Sequence, residues 1–140
     1  MSAEVFLDTN ILIYLFDETA AAKRQCAESL VRQSLANGTG CISYQVVQET
    51  MNVVVRKLGA TPEDARQLLD DVLIPLWQIS PTPSLYRRGL LIQTRYGLSL
   101  YDALIVAAAL EAGCNRLYSE DMQHGQQIQQ LTIQNPFAQR

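Results

Sequence analysis

Asp8, Glu49, Asp102 and Asp121 are the side chains of this 140-residue chain whose type and position best suit chemistry. Asp8 directly follows the apolar run Val5-Phe6-Leu7, and Asn10 puts a second oxygen-bearing side chain on the same turn. A strand-to-helix turn favours Asp as a helix cap, while a metal or phosphate site would use the same pair. Glu49 lies in a helical stretch opposite the stripe Tyr44, Val47, Met51, Val54 and Leu58. That position alone suits a solvated acid. Val46 and Val53 flank it, however, so the helix is apolar on two sides and Glu49 is expected at a partly enclosed cleft. Asp102 stands in Ser99-Leu100-Tyr101-Asp102, which has capping-box spacing. Yet it opens the most apolar helix of the chain with no Lys or Arg nearby, where a carboxylate is costly. Asp121 lies two residues beyond Ser119, just past an apolar run, where a turn or cap role is the default.

Each acid has a structural explanation, but the set has a common one. Carboxylates facing one cleft repel and raise one another's pKa. A hard divalent cation relieves that repulsion, because Mg2+ and Mn2+ take carboxylate oxygens and water. Water activated in this way attacks phosphodiesters. His124, the one histidine, reads as a hydrogen-bonding or surface residue, and no serine has the setting of a catalytic nucleophile.

These positions require a scaffold of short apolar strands and longer helices. Strands are expected at 5–7, 41–43, 76–79 and 116–118, with a fifth near 131–133. Helices are expected over 9–16, 19–36, 44–58, from Thr61 onward, 83–96 and 100–112, with Asn37-Gly38 and Gly113 as stops. Thr61 caps its helix and Pro62 takes the first position. The alternation predicts an α/β fold with a short parallel sheet covered on both faces. The helix from Leu100 is apolar nearly all round and belongs at the centre. In such sheets ligands bind beyond the carboxyl ends of the strands, where Asp8, Ser119 and Asp121 fall.

Composition removes several function classes. Apolar residues are 48% of the chain and net charge is −3, which excludes disorder. The longest apolar run, Ala103 to Leu110, is far short of the roughly 20 residues a bilayer needs, and no signal peptide is visible. Cys26, Cys41 and Cys114 are scattered and odd in number, so a disulfide framework or zinc site is not expected and a cytoplasmic location is. A pI near 5.0 argues against a broadly basic nucleic-acid surface. Charged residues are only 18%, a sign of a covered contact with another chain. No linker or repeat divides the chain, and residues 1–140 are expected to form a single domain.

Four segments carry a resemblance to a known family. They are Val5-Phe6-Leu7-Asp8-Thr9-Asn10-Ile11-Leu12-Ile13-Tyr14, Ser43-Tyr44-Gln45-Val46-Val47-Gln48-Glu49, Leu98-Ser99-Leu100-Tyr101-Asp102-Ala103-Leu104-Ile105, and Leu117-Tyr118-Ser119-Glu120-Asp121-Met122. In order and rough spacing the chain resembles PIN-domain proteins, most of all VapC-type toxins of toxin–antitoxin systems. The resemblance implies a three-layer α/β/α sandwich. It implies a metal-dependent ribonuclease in which Asp8, Glu49, Asp102 and Asp121 hold Mg2+ or Mn2+, with Asn10 and Ser119 in support. Ser119 stands where many relatives carry Thr, and Glu120 occupies a variable place. The resemblance also implies an RNA substrate, a cognate antitoxin and a homodimer, for which the helices over 20–36 and 61–73 are candidate faces. Two other readings remain: a non-catalytic PIN-like binding protein, and an aspartate-nucleophile phosphohydrolase. The latter would carry a second acid two residues after its nucleophile, where Asn10 stands.

Overall fold

The computed structural model describes residues 3–138. Strand β1 (Val5–Leu7) leads into α1 (Thr9–Ile13), a single 3-10 turn at Tyr14–Phe16, and α2 (Ala21–Asn37). Then come β2 (Gly40–Ser43), α3 (Tyr44–Arg56), α4 (Pro62–Leu68), a π-helical stretch at Leu69–Leu73, and α5 (Ile74–Leu76). The chain continues through β3 (Trp77–Ile79), α6 (Pro83–Tyr96), α7 (Leu100–Glu111), β4 (Arg116–Tyr118), β5 (Gln127–Ile128) and β6 (Leu131–Gln134).

The six strands form one sheet in the order β3-β2-β1-β4-β6-β5. All neighbouring pairs are parallel except β5 with β6. Register sets Val5 beside Gly40 on one side and Arg116 on the other. From β1 the chain steps outward through β2 to β3, then returns to place β4 on the other side of β1. Right-handed crossovers put the helices of the outward run on one face and those of the return on the other. The sheet is thereby sandwiched between helical layers, as expected. The direction of winding reverses between β1 and β4, and a crevice opens there at the carboxyl ends of the strands.

The core follows the apolar pattern. Phe6, Leu7, Ile42, Leu117 and Ile133 are fully buried on the sheet. Helix α7 buries every residue from Ala103 to Leu110, confirming its central place. It packs closely on α6 and reaches β2 and β4. Gly38 ends α2 in the left-handed conformation at φ 65°, satisfying the last carbonyls.

Several elements differ from expectation. Helix α2 starts at Ala21 without a side-chain cap, and α3 ends at Arg56. The expected continuous helix after Thr61 is interrupted. Thr61 and Asp64 do form a reciprocal capping box. Pro75, however, has no N–H for the Asp71 carbonyl, and the turn before it widens into the π-helical stretch. The fifth strand expected near 131–133 is β6, but its partner β5 was not expected, because the turn between them holds Gln129 at φ 54° in place of Gly or Asn. The helices over 20–36 and 61–73 carry none of the large exposed apolar side chains. These lie instead on α6 (Tyr86, Leu90, Leu91) and at Tyr44, Val55, Ile74, Trp77, Leu100 and Tyr101. Among the described residues no helix is long and apolar enough to cross a membrane, and Cys26, Cys41 and Cys114 are free thiols.

Gly40 marks the closest approach of α2 to the sheet: a Cβ built there would lie 2.4 Å from the Cβ of Ser34. Neither atom can rotate away, so Gly40→Ala must push helix and strand apart. The expected cost is about 1–3 kcal/mol, read as a lower urea midpoint with an unchanged slope.

Candidate functional site

Asp8 ends β1 and caps α1, so the helix-cap reading holds for this residue, and the cap position also sets its carboxylate at the cleft. Its Oδ1 accepts the Thr9 N–H at 2.7 Å. Its Oδ2 accepts the Ser119 hydroxyl at 2.7 Å and, less closely, the Asn10 amide at 3.4 Å. Only 7% of Asp8 is exposed. Burial pushes its carboxyl up to about 6; the bonds from Ser119 and Thr9 pull it down, and the charges of Asp102 and Glu49 add to the upward push.

Asn10 ties the ends of β1 and β4 together across the crevice. Its side-chain oxygen accepts the Glu120 N–H at 3.1 Å, and its amide donates to Asp121 Oδ2 at 3.1 Å. Ser119, fully buried, donates to Asp8 while its oxygen accepts the Met122 N–H at 3.4 Å. Asn10 and Ser119 therefore orient Asp8 and Asp121.

Glu49 and Asp102 reach the crevice from the two helical layers. On α3 the buried positions are Val46, Val47, Thr50 and Val54, with Tyr44 partly exposed. Val47, Met51, Val54 and Leu58 of the stripe read in sequence do pack in the core, which widens to Val46 and Thr50, and Glu49 lies beside it at the cleft. The Thr9 hydroxyl donates to Glu49 Oε1 at 3.3 Å. Thr9 was not singled out in the sequence, and its one signal there is adjacency to Asp8. Ser99 caps α7 by accepting the Asp102 N–H at 3.2 Å. The return bond from the Asp102 carboxylate to the Ser99 N–H is not made among the described residues, so Asp102 does not complete a capping box. Burial raises the Asp102 carboxyl, Ser99 lowers it, and Asp121 raises it further.

Asp8, Glu49, Asp102 and Asp121 line one cleft of about 230 Å³ together with Thr9, Asn10, Gln45 and Tyr101. No Lys, Arg or His lines it among the described residues. Glu120 turns the other way. It pairs with Lys23 at 2.5 Å and accepts the Tyr14 hydroxyl at 2.6 Å. Burial alone would raise its carboxyl, but the bonds from Lys23 and Tyr14 hold it below the usual range. His124 accepts the Asn135 N–H at 2.9 Å through Nδ1 and takes no part in the cleft. The donor set is all oxygen and mostly carboxylate, which fits a hard divalent cation. Among the described residues no three His, Cys, Asp or Glu side chains already stand close enough to enclose one ion.

The PIN domain family model matches residues 5–126 of the chain. The chain belongs to the PIN domain family. No curated protein matches it in sequence. Solved structures share the PIN fold at low identity. A toxin–antitoxin complex from Klebsiella pneumoniae aligns at TM-score 0.69 and 20% identity, covering 96% of this chain and 98% of the other. VapBC2 from Rickettsia felis, bound to a DNA fragment from its promoter, aligns at 0.66 and 18%, covering 94% and 97%. VapC20 from Mycobacterium tuberculosis, a sarcin–ricin loop cleaving toxin, aligns at 0.63 and 20%, covering 84% and 90%.

The raised Asp8 carboxyl has a pH signature. The folded state holds the Asp8 proton up to about pH 6, whereas the unfolded chain releases it near the ordinary aspartate value of 3.8. Between these limits the folded protein binds more protons, so this contribution to stability falls as pH rises through 6. The swing is about 3 kcal/mol at 1.36 kcal/mol per unit. Asp8→Asn keeps an acceptor for the Thr9 N–H, turns an NH2 toward the Ser119 oxygen, and removes the titration. In metal-free buffer it should flatten the stability profile between pH 4 and 7 and raise the neutral-pH melting temperature. An unchanged profile would refute the burial of an unpaired carboxylate at this position.

Proposed function

We propose that the chain is a divalent-metal-dependent endoribonuclease, the toxin of a toxin–antitoxin pair. The observation that carries this reading is the meeting of Asp8, Glu49, Asp102 and Asp121 at one cleft that no basic side chain lines among the described residues. Membership of the PIN family and the toxin–antitoxin complexes among its structural neighbours support the same reading.

In this reading Asp8, Glu49, Asp102 and Asp121 hold Mg2+ or Mn2+. When bound, such an ion activates water toward a phosphodiester and neutralises charge developing on the phosphate. The protein supplies orientation. Thr9 N–H and the Ser119 hydroxyl fix both oxygens of Asp8, the Thr9 hydroxyl fixes Glu49, and Asn10 fixes Asp121. Supporting contacts of this kind are worth about 10–100-fold in metal affinity or activity. An aspartate nucleophile would call for a second acid two residues on, where Asn10 stands, bonded to Glu120 and Asp121.

The partners follow from the same reading: an RNA substrate, an antitoxin that covers the cleft in the cytoplasm, and a homodimer. Residues 1–140 act as a single PIN-like domain. A basic side chain of the antitoxin satisfies the cleft's need for positive charge as a metal would. Leu90 and Leu91, 53% and 73% exposed on α6, offer the apolar area a dimer face requires.

Cleavage of labelled RNA in Mg2+ or Mn2+ is the direct test. Excess EDTA, Asp8→Asn and Asp102→Asn should each lower the rate by more than about 100-fold, beyond the cost of a lost supporting contact. Full activity in EDTA or in both variants would overturn the mechanism. Co-expression with the product of a neighbouring reading frame should suppress both the cleavage and any growth arrest.

Thermal melts give a reading independent of turnover. A divalent ion that binds only the folded form raises the melting temperature with concentration. Asp102→Asn should blunt that response and raise the metal-free melting temperature, since one repelling charge is gone. Curves identical with and without Mg2+ at constant ionic strength would mean that the acids do not share an ion.

A further inference from the structure

A second groove, of about 240 Å³, adjoins the acidic cleft. Gln45 and Tyr101 line both, so the two share a wall. None of the residues lining this groove is charged. Tyr86 and Tyr101 present their rings at its rim, 49% and 68% exposed. Tyr44 lies against Trp77, ring centres 5.9 Å apart, which fixes its orientation. The Gln45 amide donates to the Tyr101 carbonyl at 3.3 Å, and the Gln48 amide donates to the Tyr44 hydroxyl at 3.2 Å. Each glutamine is thus held by its N–H end, and an amide presents an acceptor at the other. Ser43, at the carboxyl end of β2, also lines the groove. It is 4% exposed and its hydroxyl has no hydrogen-bond partner among the described residues. A buried hydroxyl without a partner carries a desolvation cost that a polar occupant would remove.

These features select an occupant by chemistry. An uncharged wall offers nothing to a phosphate or a metal ion. Exposed ring faces combined with fixed amides and a hydroxyl suit a planar, neutral heterocycle with polar edges. The space is below the roughly 300–1,000 Å³ of pockets for drug-sized ligands, so it takes a single ring system. Unpaired bases are recognised in this manner, by stacking on aromatic side chains and hydrogen bonding along their edges. We propose that the groove is a subsite for one unpaired nucleobase next to the phosphodiester held at the acidic cleft. It would fix which position of a single strand is cut. The proposal rests on the ribonuclease reading above.

The test uses the full chain with Mg2+ and an end-labelled, mixed-sequence, single-stranded RNA. Tyr86 and Gln48 line the groove without lining the cleft. Tyr86→Ala should lower kcat/KM by about 5- to 150-fold, the equivalent of 1–3 kcal/mol per stacked base, mainly through KM. Tyr86→Phe should behave like the parent, and Gln48→Ala should relax base preference at one position. An abasic residue scanned through the strand should suppress cleavage at one fixed distance from the cut, and this effect should vanish in Tyr86→Ala. If the parent cleaves RNA while Tyr86→Ala and Gln48→Ala cut the same sites at the same rates, the subsite is refuted and the ribonuclease reading stands. If the parent cuts neither this strand nor a folded RNA, the ribonuclease reading itself fails; if it cuts folded RNA alone, the single-strand subsite is refuted and the ribonuclease reading stands. If Tyr86→Ala instead halves the mass in light scattering, the groove is an interface with a second copy and the proposal is overturned.

Discussion

Asp8 is buried at the end of the central strand in a cleft that no basic side chain lines among the described residues, and burial holds its carboxyl near 6, where it is neither firmly charged nor firmly neutral. An isolated carboxylate in that position is among the more expensive side chains a fold can carry. The protein offsets the cost locally: one oxygen takes a backbone N–H and the other takes a hydroxyl. Those two bonds then dictate much of their surroundings. The Thr9 N–H is available because α1 starts there. The Ser119 hydroxyl is available because β4 pairs in register with β1, bringing Tyr118 beside Leu7. Strand pairing, helix initiation and the orientation of one acid are a single arrangement.

The remaining acids arrive by independent routes, which is what makes their meeting informative. Glu49 comes from the helix after β2, Asp102 from the first turn of α7, and Asp121 from the turn after β4. A crossover on one face delivers Glu49 and a crossover on the other delivers Asp102. Only at the reversal between β1 and β4 can both layers reach one crevice. Four caps satisfied separately would have no reason to share it. Asp102 makes the point most directly. Ser99 already caps α7 through the Asp102 N–H, so the carboxylate is not needed at the helix end.

Much of this was legible in the sequence, and the failures have physical causes. Short apolar runs each followed by a polar residue located β1 and β4, and the all-apolar stretch from Ala103 located the central helix. Asp8 was ambiguous because the residue that caps α1 also lines the cleft. The stripe on α3 was read correctly at Val47, Met51, Val54 and Leu58, but Tyr44, apolar in pattern, lies against Trp77 at the surface, while Thr50, polar in pattern, is buried. Helical periodicity assigns faces by residue type, and here packing overruled type at two positions. The π-helical stretch was invisible because Pro75 acts on the turn before it. Strand β6 was legible, but its partner β5 was invisible because the turn between them uses Gln129. Thr9 could be found only once Asp8 and Glu49 were seen to face each other.

The neighbouring acids Glu120 and Asp121 show how the charge of the cleft is kept unbalanced. They are consecutive in sequence, and alternation across the turn sends them to opposite sides. Glu120 takes Lys23, which also lies over the rings of Tyr14 and Phe137. Asp121 takes only the neutral Asn10 amide. Had Lys23 reached Asp121 instead, the cleft would contain its own counter-ion and its affinity for an external cation would fall. By committing the nearby lysine to the acid that faces away, the fold leaves the demand for positive charge at the crevice to be met from outside. The same imbalance bears on how a polyanion could approach. The acids repel phosphates until a cation is present, so non-specific attraction cannot supply the affinity, as it does for strongly basic binders. In the proposed ribonuclease reading, contacts with uncharged parts of the strand would contribute instead, and the surface that adjoins the acids through Gln45 and Tyr101 is the uncharged, aromatic one.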